Sequence, residues 1–216
     1  MQISLVLCQR TDSRYAEFRN RHYISNKGCH GQQLHYLVYV DSIHLGIISG
    51  ASATYAVKPR DQFFGITDKV NLNSIVNNVV FRLENAPPNA ASRVLSQWRK
   101  QIAKDWEYLY QVPVAGFETF VIEGNQDESG KVCTDRTRTG SLYKADNWTC
   151  VGLTQGSTKV HNNGMNNKHV RKEVTPKLIF CKSVKGVPLA QTYTPTWRDK
   201  EASRLLSQRR KQLLSI

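Results

Sequence analysis

A long amphipathic helix set between two apolar strands constrains this chain more than any other feature. Residues 76–83 are a largely apolar strand, 84–89 a polar loop with two prolines, 90–110 a helix and 115–122 a second apolar strand. Val94, Leu95, Trp98, Ile102, Trp106 and Leu109 recur mostly at spacings of three and four, with Arg93, Arg99, Lys100 and Lys104 between them. That is the period of a helix that buries one side and wets the other. Asn89 stands at the N-cap position and Pro113 follows the last turn, so both ends carry a boundary signal. Strand, helix and strand in this order predict a βαβ unit. A helix opening directly off a strand end aims its free N–H groups above the sheet, where an anionic ligand or reacting group fits.

The rest of the chain supplies further short elements. Residues 2–8 suit an N-terminal strand, and Thr11, Asp12 or Ser13 caps a short helix over 14–23 with Tyr15, Phe18, His22 and Tyr23 on one side. Residues 34–40 and 43–50 are rich in Val, Ile and Tyr and flank Asp41-Ser42, the pattern of a β-hairpin. The stretch 51–73 reads as an irregular excursion over the sheet with short helical pieces. Residues 123–139 are a polar, glycine-punctuated insertion, and 140–153 return to order, with Trp148, Cys150, Val151 and Leu153 on a strand. Residues 155–173 have almost no apolar content and predict a mobile basic loop that orders on a partner. A last short strand covers 177–182. The expected organisation is one domain over 1–196 and a basic helix or tail over 197–216, with mixed α/β order.

Charge decides the class of partner. Residues 1–130 hold 13 Lys+Arg against 12 Asp+Glu, whereas 131–216 hold 17 against 5. A modest basic excess is ordinarily a solvated face. An imbalance this lopsided, with Tyr143, Trp148, Tyr193 and Trp197 interleaved, predicts a polyanion, most simply nucleic acid. The five cysteines are widely spaced without a C-x-x-C pair, which argues against a paired-ligand zinc site and for free thiols in a reducing cytoplasm. No secretory leader or membrane-spanning apolar run is evident, so a soluble, intracellular protein with no membrane partner is expected.

Candidates for chemistry fall at strand ends and helix starts. His22 and Tyr23 end the first helix, where a histidine is ordinarily a helix-end residue stabilised by the dipole. Arg82 ends an apolar strand, and Ser92 lies in the first turn of the long helix, where extra capping is its simplest role. Glu118 interrupts the apolar run 114–122, so it either faces solvent or is a buried carboxylate with a partner. An Arg82–Glu118 ion pair beside the helix start is the expected pairing. Tyr143 opens an aromatic and polar cluster with Lys144 and Trp148.

His22-Tyr23, His35-Tyr36-Leu37-Val38, Arg60-Asp61, Pro88-Asn89-Ala90-Ala91-Ser92, Asp105-Trp106, Glu118-Thr119-Phe120-Val121 and Tyr143-Lys144-Ala145-Asp146-Asn147-Trp148 stand in an order that resembles the Mom family of phage DNA-modification proteins. The same pattern is similar to the DruA proteins of Druantia anti-phage systems. The resemblance covers residues ~20–160 and rests most on the Glu-Thr-Phe and Tyr-x-Ala-x-Asn-Trp pieces. It implies a mixed α/β, acetyltransferase-like (GNAT-like) fold. It further implies conversion of the exocyclic amine of adenine in DNA to a carbamoylmethyl derivative, which shields phage DNA from host restriction in the host cytoplasm. The residues carried over are His22, Tyr23, Arg82, Ser92, Glu118 and Tyr143. The alternative is a DNA-binding accessory protein of a Druantia-like or mobile-element system that performs no chemistry.

Double-stranded DNA is the expected partner, gripped by Lys144, Trp148, Lys168, Arg171, Lys172, Arg209 and Arg210, and a homodimer is left open. Asn89, Ser92 and Arg93 are placed to meet a cofactor. The donor is unassigned: an acyl or aminoacyl type is compatible, but two prolines and Glu84 stand where a pyrophosphate cradle needs backbone N–H groups, which disfavours acetyl-CoA. Iron is one metal that His22, Tyr23 and Glu118 would suit.

Overall fold

The computed structural model describes residues 1–24, 31–134, 137–155, 157–161, 169–192 and 199–215, with only the backbone described over 157–161 and 169–173. In chain order the elements are β1 (Ile3–Cys8), α1 (Ser13–Asn20), β2 (Gln33–Val40), β3 (Ile43–Ser52), α2 (Lys58–Phe64), a 3-10 turn (Lys69–Ser74), β4 (Ile75–Leu83), α3 (Ala90–Tyr110), β5 (Gly116–Val121), α4 (Ser141–Ala145), β6 (Thr149–Leu153), β7 (Ser157–His161), β8 (His169–Glu173), β9 (Leu178–Ser183) and α5 (Lys200–Leu214). The main sheet has seven strands in the order β1-β2-β3-β4-β5-β9-β6, and β7 and β8 pair separately. β4 and β5 run parallel, as a βαβ unit requires, and the other neighbours are antiparallel.

The period-two alternation of the strands sorts side chains onto two faces. Tyr36, Val38, Ile48, Val76 and Phe117 pack with Val94, Leu95, Trp98, Ile102 and Trp106 of α3, while Leu37, Ile47 and Val80 pack with Tyr15 and Phe18 of α1. The helix presses close to the sheet at Gly50, where an added Cβ would lie 2.3 Å from Ile102 Cδ1 and 2.8 Å from Val76 Cγ1. Asp41 and Ser42 both take positive φ, 48° and 67°, the two-residue turn whose twist matches a hairpin. α5 docks its Leu206 and Leu213 against the α3 side of the core. Arg210 Nη2 donates to Tyr110 Oη at 3.0 Å, and Tyr108 Oη donates to Gln212 Oε1 at 2.7 Å.

Two expectations are corrected at this level. The stretch 155–173 is not wholly a loop, because β7 and β8 form an antiparallel ladder from Ser157↔Glu173 to His161↔His169; residues 162–168 lie outside the described residues. Thr158, Val160 and Val170 are β-branched and suit a strand, a signal that low apolar content concealed. Asn89 holds the N-cap position of α3, yet its φ is 63° and its side chain caps nothing; Ser92 Oγ donates instead to the Asn89 carbonyl at 3.2 Å. Among the described residues Cys8, Cys133, Cys150 and Cys181 are free, and no helix is long and apolar enough to cross a membrane.

Candidate active site

The parallel pairing of β4 and β5 covers Ile75↔Gly116, Val76↔Phe117 and Asn77↔Glu118 and then stops. From Asn78 and Thr119 onward the two strands are joined through side chains. Thr119 Oγ1 donates to the Asn78 carbonyl at 2.9 Å, and Tyr143 Oη, from α4, donates to Asn78 Oδ1 at 2.8 Å. Tyr143 therefore wedges the opening between the strands. Burial holds its phenol well above the ordinary range. Trp148 lies edge-on to Tyr143 at 5.2 Å and donates Nε1–H to Asp146 at 2.8 Å; Arg99 grips the same carboxylate through Nε at 2.6 Å and Nη2 at 2.7 Å. Both aromatics belong to the core, which corrects the expectation that Trp148 is a surface contact to DNA. Lys144 beside them is exposed.

At the open end of this wedge, β4 and β5 both reach the segment that follows α1. Arg82, near the end of β4, donates Nη1–H to the Arg21 carbonyl at 2.5 Å. Arg138 donates Nε–H to the Ile122 carbonyl just past β5 at 3.1 Å, and its guanidinium lies 4.0 Å over the Tyr23 ring, a cation–π distance. His22 and Tyr23 thus span the mouth of the diverging strands, their rings 4.8 Å apart. Burial pushes the His22 pKa down to about 4, opposed by its contact with Ile24 and reinforced by Arg19, Arg82 and Arg138. The imidazole is neutral at physiological pH, unlike a histidine charged by the helix dipole. Its Nδ1 faces the Ile24 carbonyl at 3.0 Å and the Ile24 N–H at 3.2 Å, and among the described residues Nε2 has no partner. Burial pushes the Tyr23 phenol up to about 12, so it stays protonated.

Beside the mouth lies a recess of about 850 Å³ lined by Arg21, Arg82, Glu84, Pro87, Asn89 and Ala91 among others. Glu84 accepts from Arg21 Nε and Nη2, both at 3.0 Å, and from Arg82 Nε at 2.7 Å. The two arginines that would draw an anion are answered by the loop's own carboxylate, and Pro87 and Pro88 have no N–H to offer. These residues do not fit a diphosphate. Of the expected cofactor set, Asn89 lines the recess, Ser92 serves the helix start, and Arg93 is exposed.

Glu118 stands apart from this cluster. It lies opposite Cys181 on β9, fully buried, with Oε2 taken by Arg60 Nη1 and Oε1 accepting the Thr54 N–H at 2.7 Å. Arg60, equally buried, also donates to the Thr54 carbonyl at 2.5 Å and to Asp61 at 2.7 Å. Burial pushes Glu118 up to about 7 against the opposing pull of Arg60 and Thr54. The expected Arg82–Glu118 pair is not formed. Arg82 lies five positions beyond Asn77, the residue opposite Glu118, roughly 16 Å along the strand, and takes Glu84 as its partner. Arg60 was missed because Pro59-Arg60-Asp61 reads as a turn; the one available signal was that a carboxylate in an apolar strand requires a buried cation.

The proposed metal ligands do not assemble. Among the described residues no group of three or more His, Cys, Asp and Glu could hold a metal ion; His22 Nδ1 is engaged with Ile24 and Glu118 with Arg60. Of the expected DNA contacts, Lys168 lies outside the described residues, Arg171 and Lys172 stand on β8, Arg209 is half-buried and Arg210 is exposed but bonded to Tyr110.

No curated protein matches the chain in sequence. Among solved structures it is similar to a Bacillus subtilis acetyltransferase in complex with CoA, at a TM-score of 0.45 and 6% identity over 85% of this chain and 99% of that one. A GNAT family acetyltransferase from Elizabethkingia anophelis with acetyl-CoA bound matches at 0.47 and 8%, over 84% and 98%. FeeM, an N-acyl amino acid synthase from uncultured soil microbes, matches at 0.47 and 10%, over 86% and 92%. The family model described as Druantia protein DruA matches residues 1–180, and the chain belongs to that family.

Proposed function

We propose that this chain is a transferase of acyltransferase-like architecture that modifies the exocyclic amine of adenine in DNA, installing the carbamoylmethyl group that the Mom resemblance implies, as part of the contest between phage and host in the bacterial cytoplasm. The observation that carries this reading is the neutral His22, whose Nε2 has no partner among the described residues, beside Tyr23 at the mouth of β4 and β5. Ligands of α/β proteins gather outside the carboxyl ends of strands, where neighbouring strands part. An adenine amine is a weak nucleophile inside a base pair, so the base leaves the stack at a cost of roughly a few kcal/mol. As the amine nitrogen bonds to the methylene carbon of the donor, the bond from that carbon to its leaving group breaks, the leaving group departs with the electron pair, and a neutral imidazole accepts the amine proton; at a pKa of about 4 it returns that proton to solvent directly. The Tyr23 phenol, protonated throughout, donates a hydrogen bond to a developing negative charge. A carbamoylmethyl product requires a donor with a displaceable group on the methylene carbon of an acetamide unit, and the Glu84 recess does not fit a diphosphate on that donor.

A second reading, a DNA-binding accessory protein without chemistry, is favoured by one observation: Tyr143 fills the wedge between the strands. Expression in a bacterium, digestion of cellular DNA to nucleosides and mass spectrometry separate the two. The transferase reading expects a mass-shifted partner of deoxyadenosine. Unmodified deoxyadenosine in several hosts, with DNA binding by the purified protein intact, would leave the accessory role.

A further inference from the structure

β7 and β8 form a two-stranded ribbon of their own beside the main sheet. Its register sets Lys159 directly opposite Arg171 and Thr158 opposite Lys172, with Val160 opposite Val170. Cations at paired register positions disfavour an antiparallel pair, and a two-stranded ribbon is marginal on its own in water. A polyanion lying along the ribbon removes the repulsion. The placement of the ribbon says which part of the molecule that polyanion meets. It grows out of β6 and β9, whose ends pair as Leu153↔Leu178, and Leu178 also stands opposite Val121 at the end of β5. It therefore leaves the sheet at the end where β4 and β5 part. At its root the Thr154 N–H donates to the Lys177 carbonyl at 2.9 Å, Lys177 Nζ meets Glu128 Oε1 at 2.6 Å, and the Glu128 N–H donates to the Tyr23 carbonyl at 3.3 Å. Two contacts join the ribbon root to the mouth.

We propose that the β7–β8 ribbon docks duplex DNA through the major groove and thereby presents a base to the mouth at His22 and Tyr23, an inference that rests on the DNA-directed reading above. The major groove of B-DNA, about 12 Å wide, admits a two-stranded β-ribbon. The major groove of A-form RNA is too deep and narrow for side chains to read. Duplex DNA is thus the occupant, and duplex RNA is the control.

The test is fluorescence anisotropy of the full chain against duplex DNA and duplex RNA of one sequence, over a range of salt. In Lys159→Ala/Arg171→Ala, DNA affinity falls at least tenfold and the salt slope flattens by roughly two. The charge-preserving exchange Lys159→Arg/Arg171→Lys retains binding. Undiminished DNA binding by the double alanine variant, or equal affinity for duplex RNA, overturns the proposal. Should that variant unfold, hydrogen exchange on the unaltered protein decides: protection of 157–161 and 169–173 on adding DNA supports the ribbon, and unchanged exchange overturns it. Failure of the transferase reading is seen separately, as unmodified deoxyadenosine alongside ribbon-dependent DNA binding.

Discussion

Glu118 and His22 are both buried ionisable groups at the sheet, shifted toward their neutral forms, and the contrast between them separates support from reactivity. Both oxygens of Glu118 are taken, by Arg60 and by the Thr54 N–H, and Arg60 is held in turn by Thr54 and Asp61. Among the described residues His22 is anchored through Nδ1 alone, and Arg21, the residue before it, lines the recess of about 850 Å³. A perturbed pKa marks both and therefore distinguishes neither. What differs is whether hydrogen-bonding capacity is left over for a ligand. By that criterion the Glu118 centre pins α2 and the segment before it to β5, and the His22 centre is where a substrate fits.

The comparison breaks most readily at Arg60. Arg60→Ala strips a fully buried carboxylate of its cation and is expected to cost about 3–5 kcal/mol in denaturant unfolding; a loss near zero would mean that the pair supports nothing. Glu118→Gln, which keeps an acceptor for Thr54, is expected to cost less. Tyr143→Phe leaves Asn78 Oδ1 without its donor in the wedge and should cost about 1–2 kcal/mol. At the recess, Glu84→Ala frees Arg21 and Arg82; pyrophosphate at ten times its Kd then stabilises the variant by about 1.4 kcal/mol, while the unaltered protein is not stabilised.

The pH profile is set by groups that oppose each other, two histidines against one carboxylate. His22 and His35, both pushed down to about 4 by burial from an ordinary 6.5, make stability fall as pH drops from about 6.5 toward 4, since the unfolded chain takes up protons first. Glu118, pushed up to about 7 from an ordinary 4.5, does the reverse. Its contribution is complete below about 4.5 and is lost as pH rises toward 7. In the unaltered protein these slopes partly cancel. Glu118→Gln removes one of them, so its stability should climb more steeply between pH 4.5 and 6.5; an unchanged slope would show that Glu118 is ionised throughout.

The parts of the fold set by local pattern were legible, and the parts set by distant pairing were not. The bounds of α3 follow from apolar residues at helical spacing, and the β2–β3 hairpin from two β-branched runs around Asp41-Ser42. Periodicity carries no information on β9 inserting between β5 and β6, nor on Arg60 meeting Glu118 across 58 residues. His22 and Tyr23 were named as candidates, but their meeting with Arg82 and Arg138 depends on where β4 and β5 stop pairing. Trp148 is expected at the DNA and lies in the core, because an aromatic in a basic, polar stretch reads the same whether it meets DNA or packs inside. Only the packing of Tyr143 against Phe180 and of Trp148 against Phe117 separates the two.

The most direct test compares His22→Ala with Glu118→Gln in one experiment, expressing each in the same bacterium and weighing deoxyadenosine derivatives from equal amounts of DNA and of folded protein. If the mouth is the reactive centre, His22→Ala lowers modification by about 10²–10⁴-fold with DNA affinity unchanged, and Glu118→Gln modifies DNA in proportion to the protein that folds. Full modification by His22→Ala, or its loss in a well-folded Glu118→Gln protein, would contradict that assignment and move the chemistry to the buried carboxylate.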